Sequence, residues 1–259
     1  MLTTRHRKVQ EFLKQEPEMS IQDLTERLGV SAATVRRDLA TLASLGLIRR
    51  VRGGAAMPDA LGIEPSYIER SRRNIAEKRH IAEAAAGLIE EGQVIALDVG
   101  TTALELARAL VMRPNITVFT ASIPAAEILT RGRPTVYLVG GHVRPREMST
   151  SGPVARGIIE RFHFNSFFVS ASGWSLEQGL MDFSVEDVEV KQAFIEQSQQ
   201  VVALVDSSKY GETALMAVVG FDRVDHLITD AGVPGEARAA LSDLTRLTVV
   251  SGETQEGSR

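Results

Sequence analysis

Two stretches of this chain combine residue types and spacings that could do chemistry. In the first, Ser31, Ala33, Thr34, Arg36 and Arg37 share a segment with Val35, Leu39 and Leu42, three apolar residues at helical spacing. With about 100° of turn per residue, those three fall on one side of a helix. Ala33, Arg37, Ala40 and Ser44 fall opposite, flanked by Thr34 and Arg36. A face of small residues with two guanidinium groups suits the DNA major groove, where arginine reaches guanine edges or phosphates. In the second stretch, the run Val94-Ile95-Ala96-Leu97-Asp98-Val99 passes through Gly100-Thr101-Thr102 into a helical pattern. A glycine, two hydroxyls and free backbone N–H groups at a helix start suit an anion, phosphate above all. An ordinary strand-to-helix junction uses the same residue types, and Thr102 with Glu105 has the spacing of a capping box. An ionised Asp98 would repel phosphate, so it is expected to accept a bond from a hydroxyl or a backbone donor.

The elements that must position these residues are legible from periodicity. Val9, Phe12 and Leu13 form a helical stripe that ends near Glu16-Pro17. Ile21, Leu24 and Leu28 form a second, with Ser20 as its N-cap and Gly29 as its stop. Ser31 caps the third helix, which runs out at Gly46. Leu47 to Arg52, with Gly53-Gly54 as its turn, reads as a short β-ribbon. Arg49, Arg50 and Arg52 on that ribbon suit a wing that tracks phosphate or enters the minor groove. The expected head is therefore a winged helix-turn-helix over residues 1–56, its helix-turn-helix at about 20–39. Ala55 to Ser66, with Pro58, Gly62 and Pro65, reads as a linker, and residues 57–75 carry it into a long helix marked by Ile75, Ile81, Ala82, Ala85 and Ile89.

From Val94 short apolar runs alternate with helical patterns such as 103–111 and 185–198. Strands are expected at Val94–Leu97, Ile116–Phe119, Thr135–Val139, Ser166–Val169, Val201–Val205, His226–Ile228 and Leu247–Val250. Such alternation predicts an α/β domain over 76–251 on a mostly parallel sheet, with 252–259 as a disordered tail. Polar groups fall at strand ends, where open α/β sheets bind ligands: Thr120 and Ser122, Gly140-Gly141, Ser172-Gly173, and Asp206 to Lys209. Lys191, beside Glu186 and Glu189, reads as a solvated surface charge, and Trp174 as core filling rather than a sugar platform.

Composition narrows the function classes. The chain has 259 residues, no cysteine and a net charge of −4, which excludes disulfides and thiolate metal sites. Residues 1–54 hold ten basic and six acidic residues, a net +4 that leaves −8 for the rest. A basic head on an acidic body points to nucleic acid as the partner of the head alone. No signal peptide and no membrane-spanning run is seen, so a cytoplasmic protein without a membrane partner is expected. Five scattered histidines give no metal-ligand spacing, and the nucleotide, hydrolase and metalloprotease strings are missing. A sugar-phosphate isomerase or transferase carrying a DNA-binding head is the alternative. Its carboxylate base would come from Asp182, Glu186 or Asp187, which the sequence does not bring into the crevice. No catalysis, no metal and no cofactor are expected, and a pure scaffold is disfavoured by the arginine-rich helix.

Val30-Ser31-Ala32-Ala33-Thr34-Val35-Arg36-Arg37-Asp38-Leu39, followed by Leu42, Gly46 and Arg50-Val51-Arg52-Gly53-Gly54-Ala55, resembles the head of the DeoR-type bacterial regulators. Arg52 stands where the family usually has histidine; it keeps a donor and adds a fixed charge. The resemblance continues through Asp98-Val99-Gly100-Thr101-Thr102, Gly140-Gly141, Thr150-Ser151-Gly152, Glu189-Val190-Lys191 and Asp206-Ser207-Ser208-Lys209. It implies an effector domain similar in fold to ribose-5-phosphate isomerase and the CoA transferases, binding a phosphorylated sugar or polyol. By the same resemblance Gly100, Thr101 and Thr102 would hold phosphate, and Asp98 and Lys209 would line the pocket. Thr120 and Ser122 would meet the sugar, with Gly140, Gly141, Gly152 and Lys191 completing the set. Ala121 stands where the family often has asparagine, so that amide contact is absent. The resemblance further implies an oligomer, dimer or higher, that represses transcription from a double-stranded DNA operator.

Overall fold

The structure is a computed structural model that describes residues 4–16, 18–44, 48–51, 53–56, 67–145 and 147–251. The chain divides into two compact units, 1–63 and 64–259. The expected helix end at Gly46, Arg52, most of the linker and the tail lie outside the described residues.

In the first unit, helix α1 (Thr4–Gln15) precedes a short strand β1 (Glu18–Ser20), helices α2 (Ile21–Leu28) and α3 (Ala32–Ser44), and strands β2 (Arg49–Val51) and β3 (Gly54–Ala56). Ser20 caps α2 through a capping box with Asp23, and Gly29 ends it in the left-handed region at φ 65°. The apolar stripes of all three helices meet in one core, in which Val9, Leu13, Leu24, Val35, Leu39 and Leu42 are buried. The sheet has three strands in the order β1-β3-β2. The sequence reading missed β1 because three residues, only one of them apolar, show no period. Gly54 lets β3 lie against β1; a Cβ there would sit 2.1 Å from the Met19 carbonyl oxygen. Ala55 and Ala56 correct the linker reading: both are buried strand residues of β3.

The second unit opens with α4 (Tyr67–Arg72) and α5 (Ile75–Ala86), two helices where one was expected. Strand β4 (Val94–Leu97) then leads through α6 (Thr101–Leu110), β5 (Thr117–Thr120) and α7 (Ile123–Leu129) to β6 (Thr135–Leu138). A hairpin of β7 (His142–Arg144) and β8 (Ser149–Ser151) and helix α8 (Pro153–Ile159) precede β9 (Phe164–Val169). Strands β10 (Gly173–Ser175) and β11 (Gly179–Asp182), helix α9 (Val185–Glu196), β12 (Ser198–Leu204), β13 (Met216–Val219), β14 (His226–Asp230), α10 (Gly235–Leu244) and β15 (Arg246–Val250) complete it.

The seven expected strands form one sheet in the order β15-β14-β12-β9-β4-β5-β6, every neighbouring pair parallel. The second begins one residue later than expected, at Thr117. Alternate residues feed two cores. Ile95, Leu97, Phe168, Val202 and Leu204 pack against α5, α6 and α7; Ala96, Phe167, Val169, Val201 and Ala203 pack against α8, α9 and α10. Helices thus cover both faces, as the unbroken apolar runs require. Trp174 is fully buried among Tyr210 and Phe221, a core residue as read. From β4 the chain builds outward on one side to β6, then from β9 on the other to β15, so β4 and β9 flank the switch point. Their carboxyl ends lead to helices on opposite faces, which opens a crevice between the loops that follow them.

Candidate functional site

On the head, Ser31, Ala33, Arg36 and Arg37 are exposed, while Val35, Leu39 and Leu42 are buried. Ser31 Oγ accepts from the Thr34 backbone N–H at 3.3 Å and bonds the Thr34 hydroxyl at 2.9 Å, fixing the first turn of α3. One charge lies in the inward stripe. Asp38, three residues after Val35, is buried and receives both a bond from Arg5 Nη2 at 2.9 Å and one from Arg5 Nε, while His6 Nε2 lies 3.1 Å from it. The Arg5 hydrogen bond is the main cause that holds its carboxyl below the usual carboxylate range. This pairing clamps α1 to the buried side of α3. The wing turn is Gly53, at φ 84°; the backbone of Arg50 is in β2. The side chain of Arg50 lies outside the described residues.

In the second unit a narrow crevice opens at the switch point. Gly100, Thr101 and Thr102 line it from the start of α6, Ser170 and Ser172 from the end of β9, and Lys191 and Lys209 from α9 and the turn after β12. Four polar lining groups escaped the sequence reading: Arg70 on α4, Lys78 on α5, Glu147 before β8 and Ser170 after β9. Asp182 and Asp187 line it as well, although the sequence could not bring them there.

The turn departs from the expected cap. Gly100, extended at φ −70° and ψ 161°, is the N-cap of α6 and no side chain caps it; Thr101 and Thr102 are already helical. Glu105 turns instead to Arg79 and Arg108, each at 3.3 Å. The first N–H groups of α6 are therefore left without a side-chain acceptor beside the crevice. Gly100 is needed for closeness: a Cβ there would stand 1.9 Å from Ser170 Oγ. Asp98 accepts from the Ser170 N–H at 2.8 Å and hydroxyl at 2.7 Å, the donors its charge called for.

Lys191 corrects the reading of a solvated charge. It is 2% exposed, and its Nζ donates to Asp98 at 2.8 Å, Asp182 at 2.7 Å and the Ser170 carbonyl at 2.7 Å. Burial alone would depress this amine, but Asp182 and Asp98 outweigh it and hold the amine well above its usual range. Burial likewise pushes Asp182 up, yet Lys191 wins and keeps it low. Asp187 is pushed up by burial against the pull of its partner Arg144.

Lys78 and Lys209 are met differently. Buried Lys78 donates to the Arg70 carbonyl at 2.5 Å and the Arg73 carbonyl at 2.7 Å, and burial pushes its amine down to about 8. Half-buried Lys209 is also pushed down by burial, and among the described residues its ammonium touches no carboxylate.

The remaining expected residues are brought together elsewhere. Thr120 Oγ1 accepts from the Ser122 N–H at 3.0 Å, and Ser122 Oγ caps α7 through Ala125 N at 3.2 Å. Gly141, at φ 145°, passes close to the Ser151 carbonyl, and Gly152 is the N-cap of α8. Thr120, Ser122, Gly140, Gly141 and Gly152 thus lie outside the crevice lining, beside the Thr150 hydroxyl that ties β8 to the Ala121 carbonyl after β5. Asp98 lies beneath the lining and acts on it through Ser170 and Lys191. Among the described residues no group of three or more His, Asp or Glu could hold a metal ion. None of their helices is long and apolar enough to cross a membrane.

A winged helix-turn-helix with a basic face, joined to a parallel α/β unit with a cation-rich crevice, defines a DNA-binding regulator with a sensing domain. Residues 5–60 match the DeoR-like helix-turn-helix domain and residues 73–231 the DeoR C terminal sensor domain. The chain belongs to the DeoR family of transcriptional regulators; it is a DNA-binding repressor, not an enzyme. It is 36% identical over 230 residues to the transcriptional repressor AccR of Agrobacterium fabrum, covering 88% of this chain and 89% of that one. It is 32% identical over 242 residues to the glycerol-3-phosphate regulon repressor of Escherichia coli, covering 93% and 96%. Among solved structures, ribose 5-phosphate isomerase A of Methanocaldococcus jannaschii is similar over 53% of this chain and 55% of its own, with TM-score 0.41 and 18% identity.

Proposed function

We propose that this chain represses a carbohydrate or polyol catabolic operon and leaves its operator when a phosphorylated sugar-type effector binds the crevice. One observation carries the reading. Lys78 and Lys209, two cations that touch no carboxylate among the described residues, stand with the uncapped first turn of α6 around one small cavity. Glu147, Asp182 and Asp187 each already have a cationic partner. An arriving phosphate dianion therefore meets net positive charge and free N–H donors. The name of the Escherichia coli relative, a glycerol-3-phosphate regulon repressor, agrees with a phosphorylated polyol as ligand class.

Thermal stabilisation against a panel of sugar and polyol phosphates tests this, since a ligand at a hundred times its Kd adds about 2.7 kcal/mol. With the responding compound in hand, Thr101→Val should weaken its binding while operator binding persists. The Val variant is preferable to any change at Gly100, where a side chain would strike Ser170. An unchanged Kd in calorimetry would move the phosphate away from this turn.

For the head, Arg37→Ala should cost about 1–3 kcal/mol of operator affinity, and Arg50→Ala should reduce the salt dependence by about one unit of slope. Operator titrations at several salt concentrations check both, and unchanged affinity in both variants would sink the assignment. One winged helix covers few base pairs, so we take the active form to be an oligomer assembled through residues beyond 56. A monomer in ultracentrifugation at micromolar concentration, with and without DNA, rules that out.

A further inference from the structure

Helix α4 is the first described element after the head, and none of its residues is buried. Six residues make no stable helix by themselves, so its contacts must hold it. Polar tethers do much of this, and several lead to the crevice. Arg70 bonds Glu147, the two side chains being 11% and 4% exposed. Lys78 Nζ donates to the Arg70 and Arg73 carbonyls, satisfying the end of the helix. Asn74, in the left-handed region at φ 52°, donates from Nδ2 to Asp206 and to the Ser208 hydroxyl, both at 2.9 Å. Arg70, Lys78 and Glu147 all line the crevice, and Asn74 grips the turn that carries Lys209. An anion in the crevice cannot engage these cations without changing what they do for α4.

We propose that the bound anion takes Arg70 from Glu147, and that this exchange of partners loosens α4 and so carries the effector signal toward the head. The inference rests on the effector reading above and supplies its regulation. Arg70 is suited to the exchange because its planar guanidinium binds carboxylate and phosphate by the same paired geometry. Glu147 acts as an internal stand-in for the ligand: while the crevice is empty it holds Arg70 and keeps α4 docked. A dianion offers more charge and more acceptors than a carboxylate, and repels Glu147. Lys78 drawn toward the same anion gives up carbonyls that α4 needs.

The test uses the full chain, an operator selected from random duplexes, and inorganic phosphate as the probe, with Glu147→Gln and Arg70→Gln. Without phosphate, Glu147→Gln should bind operator more weakly by roughly 5- to 150-fold, the usual span of coupling between sites. It should bind phosphate more tightly, since the competing carboxylate is gone. Arg70→Gln should weaken both. Loss of fold cannot move phosphate affinity in opposite directions, so the pair separates a latch from a damaged structure. Hydrogen exchange over residues 67–73 should rise in the parent on adding phosphate and be raised from the start in both variants. Glu147→Gln binding operator as the parent does, or exchange in α4 indifferent to phosphate, overturns the latch. If Thr101→Val loses phosphate in those same samples, the latch alone has failed; if Thr101→Val also binds phosphate as the parent does, the crevice reading falls with it.

Discussion

Lys191 and the pair Lys78 and Lys209 line one crevice, but their charges are met in different ways. The three N–H bonds of Lys191 go to Asp98, Asp182 and the Ser170 carbonyl, and the carboxylates are in turn bonded by Ser170, Ser172 and the Phe183 N–H. Every partner is supplied by the protein, and the amine is held charged. At Lys78 and Lys209 burial dominates and the amines are pushed toward neutrality. A buried charge matched inside the fold belongs to the structure; one left short of countercharge is stabilised only when something else brings it. The difference separates a scaffold from a binding surface within a single cavity.

The largest expected effect breaks the matched side. Lys191→Met leaves Asp98 and Asp182 facing each other in the interior, and removing one partner of a buried ion pair costs about 3–5 kcal/mol. Denaturant unfolding of the variant should show that loss with or without effector. The group is fixed in its charged form across the neutral range, so the penalty should persist at pH 6 and pH 8 alike. A loss below about 1 kcal/mol would mean that the network is solvated and that Lys191 is no more matched than Lys78 and Lys209.

How much of this could be read in the sequence depended on how local the signal was. The seven strands of the sheet were legible as apolar runs, which the inner strands owe to burial on both faces, while β6 at the edge is mostly exposed. The inward face of α3 was legible because Val35, Leu39 and Leu42 lie within eight residues of one helix. Strands β1, β7, β8, β10, β11 and β13, of three or four residues each, were too short to show a period. Arg70 and Lys78 were invisible for another reason: each sits among other charges, in Glu69-Arg70-Ser71-Arg72-Arg73 and Glu77-Lys78-Arg79-His80, and only the folded chain selects which one turns inward. Lys191 and Asp38 did leave a trace. Lys191 stands between Val188 and Phe194 at helical spacing, as Asp38 stands between Val35 and Leu42. A charge in register with an apolar stripe marks a buried ion pair, and both positions bear that out.

A smaller effect is expected on the unmatched side. Lys209→Gln should leave stability within about 0.5 kcal/mol of the parent, since among the described residues the ammonium touches no carboxylate whose loss would be felt. It should weaken effector binding by about 1.5–3 kcal/mol, the span for a hydrogen bond to a charged group. Thermal melts and calorimetry on one preparation read both quantities. A variant that loses stability but keeps its effector would put Lys209 in the scaffold beside Lys191.

The smallest effect is also the most specific, because it turns on the direction of one titration. Lys78 sits near Asp206 and Glu105, which favour its charge, and near Lys209 and Arg70, which oppose it; burial outweighs them and brings the amine from its ordinary 10.5 to about 8. The folded protein therefore releases this proton at lower pH than the unfolded chain does. Between about pH 8 and 10.5 the unfolded state holds the extra proton, so this group's contribution to stability rises with pH across that window. Anion affinity runs the other way. The ligand prefers the ammonium, and its own second ionisation, near pH 6, is complete. Affinity should hold up to about pH 7.5 and fall above pH 8, by at most about tenfold per unit, the limit for one coupled proton. Isothermal titration at pH 7, 8 and 9 reads the affinity, and denaturant unfolding at the same values reads the stability. Lys78→Met should flatten both profiles. Effector affinity that stays level through pH 9 in the parent would place Lys78 with Lys191 as an internal strut, and leave Lys209 and the first turn of α6 to hold the anion.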